Sequence, residues 1–149
     1  CAVIEYARNV LKMKDAHTVE IDSDTKFPVI SMMEEQKKLE KMGGTMRLGS
    51  YKCEIENNTL LHRIYSNNII DERHRHRFEF NNKYLEDFQN SGVVFSGKNK
   101  KNQLMETIEI PSHPWFLGVQ FHPEYKSTVE NPHPIFSSFI QAGLNFATK

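Results

Sequence analysis

The stretch "WFLGVQFHPE", residues 115–124, decides both how the chain folds and where its chemistry lies. Residues 115–121 form a short apolar run of the kind that fills a strand covered on both faces. The run gives out at His122, with Pro123 and Glu124 after it. In layered α/β proteins, sites collect in crevices outside the carboxyl ends of strands. A histidine at such an end, with a carboxylate two residues on to orient its ring, has the makings of a general base in need of a nucleophile. The same letters also suit a His-Pro turn with a surface glutamate, since loops favour both residue types.

Periodicity on either side of this stretch supports an α/β architecture. In "CAVIEYARNVLKM" (1–13) the apolar residues Val3, Ile4, Ala7, Val10 and Leu11 recur at helical spacing, which predicts a helix with one buried face. Polar, turn-rich residues follow, then a short strand around Pro28. The charged segment 31–45, ending in Gly43 and Gly44, reads as a mobile connection. Alternation from Arg47 to Glu56 and from Asn68 to Phe80 predicts strands, with a helical turn at 60–66 between them. Residues 81–92 predict a short helix presenting Tyr84, Leu85 and Phe88, with Gly92 as its stop signal. Strands at 93–97 and 103–110 flank the solvated tip "KNKKN". Pro134 opens a final amphipathic helix expected to turn Ile135, Phe136, Phe139, Ile140 and Leu144 inward. No internal repeat is visible.

The chain has 149 residues, enough for one domain with its own core. Its nineteen basic and nineteen acidic side chains cancel, so no global field draws it to nucleic acid or an anionic membrane. Cys1 and Cys53 have neither the number nor the spacing of a disulfide framework or zinc site, which suits a reducing compartment. With no bilayer-length apolar run and no secretory leader, the expectation is a soluble, cytoplasmic protein. A chain beginning inside a helical pattern, without methionine, is expected to lack its natural start. Cys1 poses a sharper question, because an N-terminal cysteine can act as a nucleophile with its own α-amino group as base.

Two further stretches have chemical potential. If "ERHRHRFEF" (72–80) is a strand, Glu72, His74, His76, Phe78 and Phe80 share one face, and Arg73, Arg75, Arg77 and Glu79 the other. The arginines could clamp a carboxylate or phosphate, the two histidines could ligate a metal, or the charged face could simply be solvated. In "GGTMRLG" (43–49) a glycine-rich loop presents Arg47, which could meet a phosphate-bearing ligand or be no more than part of a turn.

Taken together, "AVIEYARNVL", "GGTMRLG", "ERHRHRFEFNN", "HPWFLGVQFHPE" and "HPIFSSFIQA", in that order, resemble the glutaminase domain of CTP synthases over almost the whole chain. "GVQFHPE" would fit triad glutamine amidotransferases generally, while "GGTMRLG" with "ERHRHR" is far more particular to CTP synthases. The resemblance implies an α/β, flavodoxin-like class I glutamine amidotransferase fold. That fold has an open, mostly parallel sheet flanked by helices, its N-terminal part missing from this sequence. Residues 1–149 would then be the C-terminal portion of a glutaminase domain. The implied activity is hydrolysis of L-glutamine by a Cys-His-Glu triad, the ammonia passing to a synthase domain that uses ATP and Mg2+ to convert UTP to CTP. His122 and Glu124 would be base and orienting carboxylate, Glu20 and Arg77 would hold the glutamine, and Arg47 matches a position linked to activation by GTP. No cofactor is implied in this domain, and the full-length protein would be a homotetramer.

The family's nucleophile lies on a sharp elbow directly before the helix that begins here at "AVIEYARN". Cys1 therefore matches a helical position about five residues beyond it, and the fragment alone would be inactive. A nucleophile belongs on the elbow, where its sulfur is exposed and the helix N-terminus lowers its pKa. "DAHTVE" (15–20) stands where the family has a stretch like "NANSTE", so His17 and Val19 alter the surroundings of Glu20. Two rival readings are a metal-dependent enzyme using His74 and His76, and a non-catalytic regulatory or interaction module.

Overall fold

Helix α1 (Ala2–Asn9) ends earlier than its apolar periodicity suggests. Lys12 adopts a left-handed φ of 61°, which breaks the helical path, and Val10 is 48% exposed. The computed structural model describes residues 1–32 and 46–148, so most of the charged connection, with Gly43 and Gly44, lies outside the described residues. The chain divides into two units, Cys1–Leu48 with Arg75–Val93, and Gly49–His74 with Val94–Lys149.

In the first unit, strands β1 (Ala16–Thr18), β2 (Phe27–Ser31) and β5 (Glu79–Phe80) form a sheet in the order β1-β2-β5. β1 is a strand that turn-rich sequence concealed. It pairs parallel with β2, and β5 pairs antiparallel to β2. α1 packs on β1 and β2 through Tyr6 and the fully buried Ala7. A 3-10 turn (Asn82–Tyr84) leads into the predicted short helix α3 (Leu85–Asn90), which buries Phe88. The Phe88 ring stacks on Tyr6 at 5.6 Å and meets Phe80 edge-on at 5.3 Å, forming this unit's aromatic core. Gly92 ends the segment at φ 98°, a conformation its missing Cβ makes cheap.

The second unit is built on the sheet β4-β3-β6-β7-β8, with β3 (Arg47–Ile55), β4 (Ile69–His76), β6 (Val94–Asn99), β7 (Leu104–Glu109) and β8 (Leu117–Val119). The α/β class stands, but strand direction departs from the expected mostly parallel sheet. The pairs β3–β6, β6–β7 and β7–β8 are all antiparallel. For β6 and β7 the connection explains this, because the four residues between Asn99 and Leu104 can close a hairpin but cannot make the long crossover that parallel neighbours need.

Helix α2 (Leu60–Tyr65) confirms the predicted helical turn, and its N-terminus is capped twice. Thr59 Oγ1 accepts from the His62 N–H at 3.2 Å. The buried Glu109 carboxylate, reaching over from β7, accepts from the Leu60 and Leu61 N–H groups at 2.8 Å each. Cys53, Ile55, Leu61, Ile70, Phe121 and Ile135 form the core, and Trp115 and Leu117 pack against it.

Two expectations of burial fail here. β8 has three residues rather than seven, and all are half-buried, because it lies at the edge of the described sheet instead of inside it. Helix α4 (Pro134–Ala147) forms where predicted, yet of its expected inward face only Ile135 is buried. Phe136, Phe139, Ile140 and Leu144 are 40–60% exposed, because among the described residues little more than α2 and the Trp115 indole packs against this helix. The indole centroid lies 5.1 Å from that of Phe139, and Trp115 Nε1 donates to Ser138 Oγ at 2.8 Å.

Candidate active site

Phe121 anchors the end of the "GVQF" run in the core, and the next backbone N–H, that of His122, donates to the Arg73 carbonyl of β4 at 2.8 Å. This bond fixes the point at which the chain leaves the sheet. His122 then precedes a 3-10 turn (Pro123–Lys126), which carries Glu124 back beside the imidazole. Nδ1 of His122 lies 2.7 Å from Glu124 Oε1, and the ring stacks on Tyr125 at 5.2 Å. A bond this short between a ring N–H and a carboxylate is charge-assisted, and it fixes the tautomer that leaves Nε2 for a substrate. The side chains of His122 and Glu124 are 35% and 55% exposed, so the pair is open to solvent. The Glu124 carboxyl is held below the usual carboxylate range by a hydrogen bond from its own backbone N–H, and then by His122.

Strand pairing brings two other predicted residues to the same end of one sheet. Glu20, exposed, follows β1, with its N–H donating to Thr18 Oγ1 at 3.3 Å. Arg77, also exposed, precedes β5. Because β1 is parallel to β2 while β5 is antiparallel and pairs Glu79 with Ser31, both residues fall at the carboxyl end of β1 and β2. That is the end where an α/β sheet gathers ligands.

Arg47 is not presented on a loop. It begins β3, is 5% exposed, and its Nη1 lies 3.6 Å from Glu79 Oε1. Glu79 itself was expected on the arginine face, but a bend at Arg77 and Phe78 ends β4 and resets the alternation, so Glu79 and Phe80 are both buried. Arg73, Arg75 and Arg77 are exposed.

The two histidines of "HRH" have separate surroundings. His74 is buried with Nε2 3.7 Å from Glu106 Oε2, between the rings of Tyr51 and Phe121. His76 Nδ1 bonds the Phe78 carbonyl at 3.1 Å and lies 3.4 Å from Glu79. Among the described residues no group of three histidine, cysteine, aspartate or glutamate side chains could hold a metal ion. Cys53 is buried in the core, while Cys1 is exposed at the start of α1 and provides no side-chain cap.

Sequence reading missed a buried cluster behind the loop. Glu72 Oε1 accepts from Tyr65 Oη at 2.8 Å and pairs with His133 Nε2 at 3.1 Å. Burial, and then the Glu72 charge, hold the Tyr65 hydroxyl far above the usual phenol range, so it stays a donor. One signal was available, since a histidine directly before a helix-opening proline occupies the N-cap position.

Residues 1–142 match the family model of class-I glutamine amidotransferases. The chain belongs to that family. It is similar to CTP synthases, being 56% identical to that of Aquifex aeolicus (strain VF5) over 146 residues, which is 98% of this chain and 28% of the relative. It is 52% identical to that of Clostridium kluyveri over 145 residues, 97% of this chain and 27% of the relative. A solved Trypanosoma brucei CTPS glutaminase domain with bound acivicin superposes with a TM-score of 0.90 at 38% identity, covering 97% of this chain and 56% of that one. This amidotransferase chain thus spans between a quarter and a third of the length of these curated relatives.

Proposed function

We propose that residues 1–149 are the C-terminal portion of the glutaminase domain of a CTP synthase, and that they supply the base and the substrate clamps for hydrolysis of L-glutamine. The observation that carries this reading is the 2.7 Å contact between His122 Nδ1 and Glu124 Oε1 at a strand end. The nucleophile is a cysteine thiolate from polypeptide preceding residue 1. Its sulfur attacks the glutamine carboxamide carbon, and the C–N bond breaks as Nε2–H of the His122 imidazolium protonates the departing ammonia. Neutral His122 then takes a proton from water, the hydroxide attacks the thioester, and the C–S bond breaks to give glutamate and the thiolate. Glu124 keeps the ring oriented and stabilises its cationic form. Glu20 and Arg77, opposite in charge at one end of their sheet, hold the amino and carboxylate groups of glutamine.

In the whole protein the ammonia passes to a synthase domain that aminates UTP to CTP with ATP and Mg2+, as a cytoplasmic homotetramer. Activation by GTP belongs to the same reading, with Arg47 contributing from its buried place beside Glu79. Neither nucleic acid nor membrane is a partner. No helix among the described residues is long and apolar enough to cross a bilayer. The test is His122→Ala in the full-length protein. Glutamine-dependent CTP formation should be abolished while formation from added ammonia persists, and an equal fall in both would overturn the assignment.

A further inference from the structure

The loop carrying His122 and Glu124 is tied to β4 at both of its ends, and the second tie is the buried cluster that the proposed reaction leaves unused. At the near end, the His122 N–H bonds the Arg73 carbonyl at 2.8 Å. In mid-loop, Lys126 donates to the Asp71 carbonyl and lies 3.9 Å from Glu72 Oε2. At the far end, His133 is engaged at both ring nitrogens: Nδ1 accepts from the Ile135 N–H at 3.3 Å, capping α4, and Nε2 pairs with Glu72 Oε1 at 3.1 Å. The His133 N–H in turn donates to Ser127 Oγ at 3.0 Å. Three consecutive residues of β4 therefore hold residues 122, 126 and 133.

We infer that Glu72 and His133 are positioning residues for the His122–Glu124 pair, a role that rests on the glutaminase reading above. Both are 3% exposed or less, whereas the pair they serve is open to solvent and its ring stacks on Tyr125 of the same turn, so its place depends on how the loop itself is held. A buried carboxylate shared by several donors resists displacement, because moving one partner leaves the charge less compensated. A displacement of about 1 Å at a reacting group can reduce turnover by roughly two orders of magnitude. The His133 ring tautomer is also set by its cap, since Nδ1 must keep a lone pair for Ile135, which leaves Nε2–H to donate to Glu72.

His133→Asn in the full-length protein separates capping from positioning. Asparagine caps helices well, but its side chain is too short to reach Glu72. The expected result is a fall of about tenfold in glutamine-dependent kcat, with KM for glutamine changed by less than about twofold and ammonia-dependent synthesis unchanged. Simple loss of folded protein would lower the glutamine- and ammonia-dependent rates together, whereas loss of positioning lowers the first alone. Tyr65→Phe, which removes one donor from Glu72, should give a smaller fall in the same direction. A folded His133→Asn protein with parental glutamine-dependent kcat, or with both rates lowered equally, overturns the positioning role. If that variant melts early, parental turnover in both Tyr65→Phe and Glu72→Gln overturns it instead. A parent protein that releases no ammonia from glutamine ends the glutaminase reading itself, and is recognised before any variant is compared.

Discussion

Replacing Glu124 with glutamine removes the charge from the pair while preserving its shape. The amide oxygen can still accept from Nδ1–H, so the ring should keep its tautomer and lose only the electrostatic support for its cationic form. A hydrogen bond to a charged group is worth about 1.5–3 kcal/mol and a neutral one about 0.5–1.5. The difference must be discounted, because the Glu124 side chain is 55% exposed and water screens it. A loss of about 0.7–1.2 kcal/mol from the transition state corresponds to a fall in kcat of about 3- to 8-fold. The assay is glutamate release by the full-length protein at saturating glutamine, with ammonia-supported CTP formation as internal control. A kcat within about twofold of the parent would refute the electrostatic role, given the 2.7 Å contact.

The same substitution carries a sign with pH. The Glu124 carboxyl is depressed in the folded protein, chiefly by its own backbone N–H and then by His122. Its contribution to stability is therefore present above its unfolded value and lost as pH falls through the lower, folded one. On acidification through this window the parent should lose more thermal stability than Glu124→Gln.

Arg77→Ala should raise the glutamine KM about tenfold or more with a smaller effect on kcat, and an unchanged KM removes Arg77 from the clamp. Glu109→Ala should destabilise the protein by about 2–4 kcal/mol, since it strips the acceptor from two N–H groups at the start of α2. Urea unfolding measures this, and a loss below about 1 kcal/mol would mean that water replaces the carboxylate.

Local patterns were legible in the sequence wherever one face of an element is covered. β4 alternates as read, with Ile70, Glu72 and His74 buried and Asp71, Arg73 and Arg75 exposed. The reading failed at Glu79 because alternation extends only as far as the strand stays straight, and the bend at Arg77 is not written in hydrophobicity. For α4 the pattern identified the helix but overstated its burial, since an apolar stripe records what a face prefers and not what is packed against it. The antiparallel direction of β6 against β7 followed from their short connection, which the hairpin tip at 98–102 already implied. The His122–Glu124 contact could be anticipated because two residues in one turn must lie close. The Tyr65, Glu72 and His133 cluster could not, because those partners are separated by up to 68 residues and meet only when β4, α2 and the start of α4 have packed together.

The contact of Trp115 with Phe139 has a practical side. Trp115 is the sole tryptophan of the chain, and its indole reports on α4 by touching one residue of that helix and donating to another. Intrinsic emission excited near 295 nm is thus an optical gauge of that helix's docking: detachment of α4 wets the ring, and the spectrum moves to the red without any label being introduced.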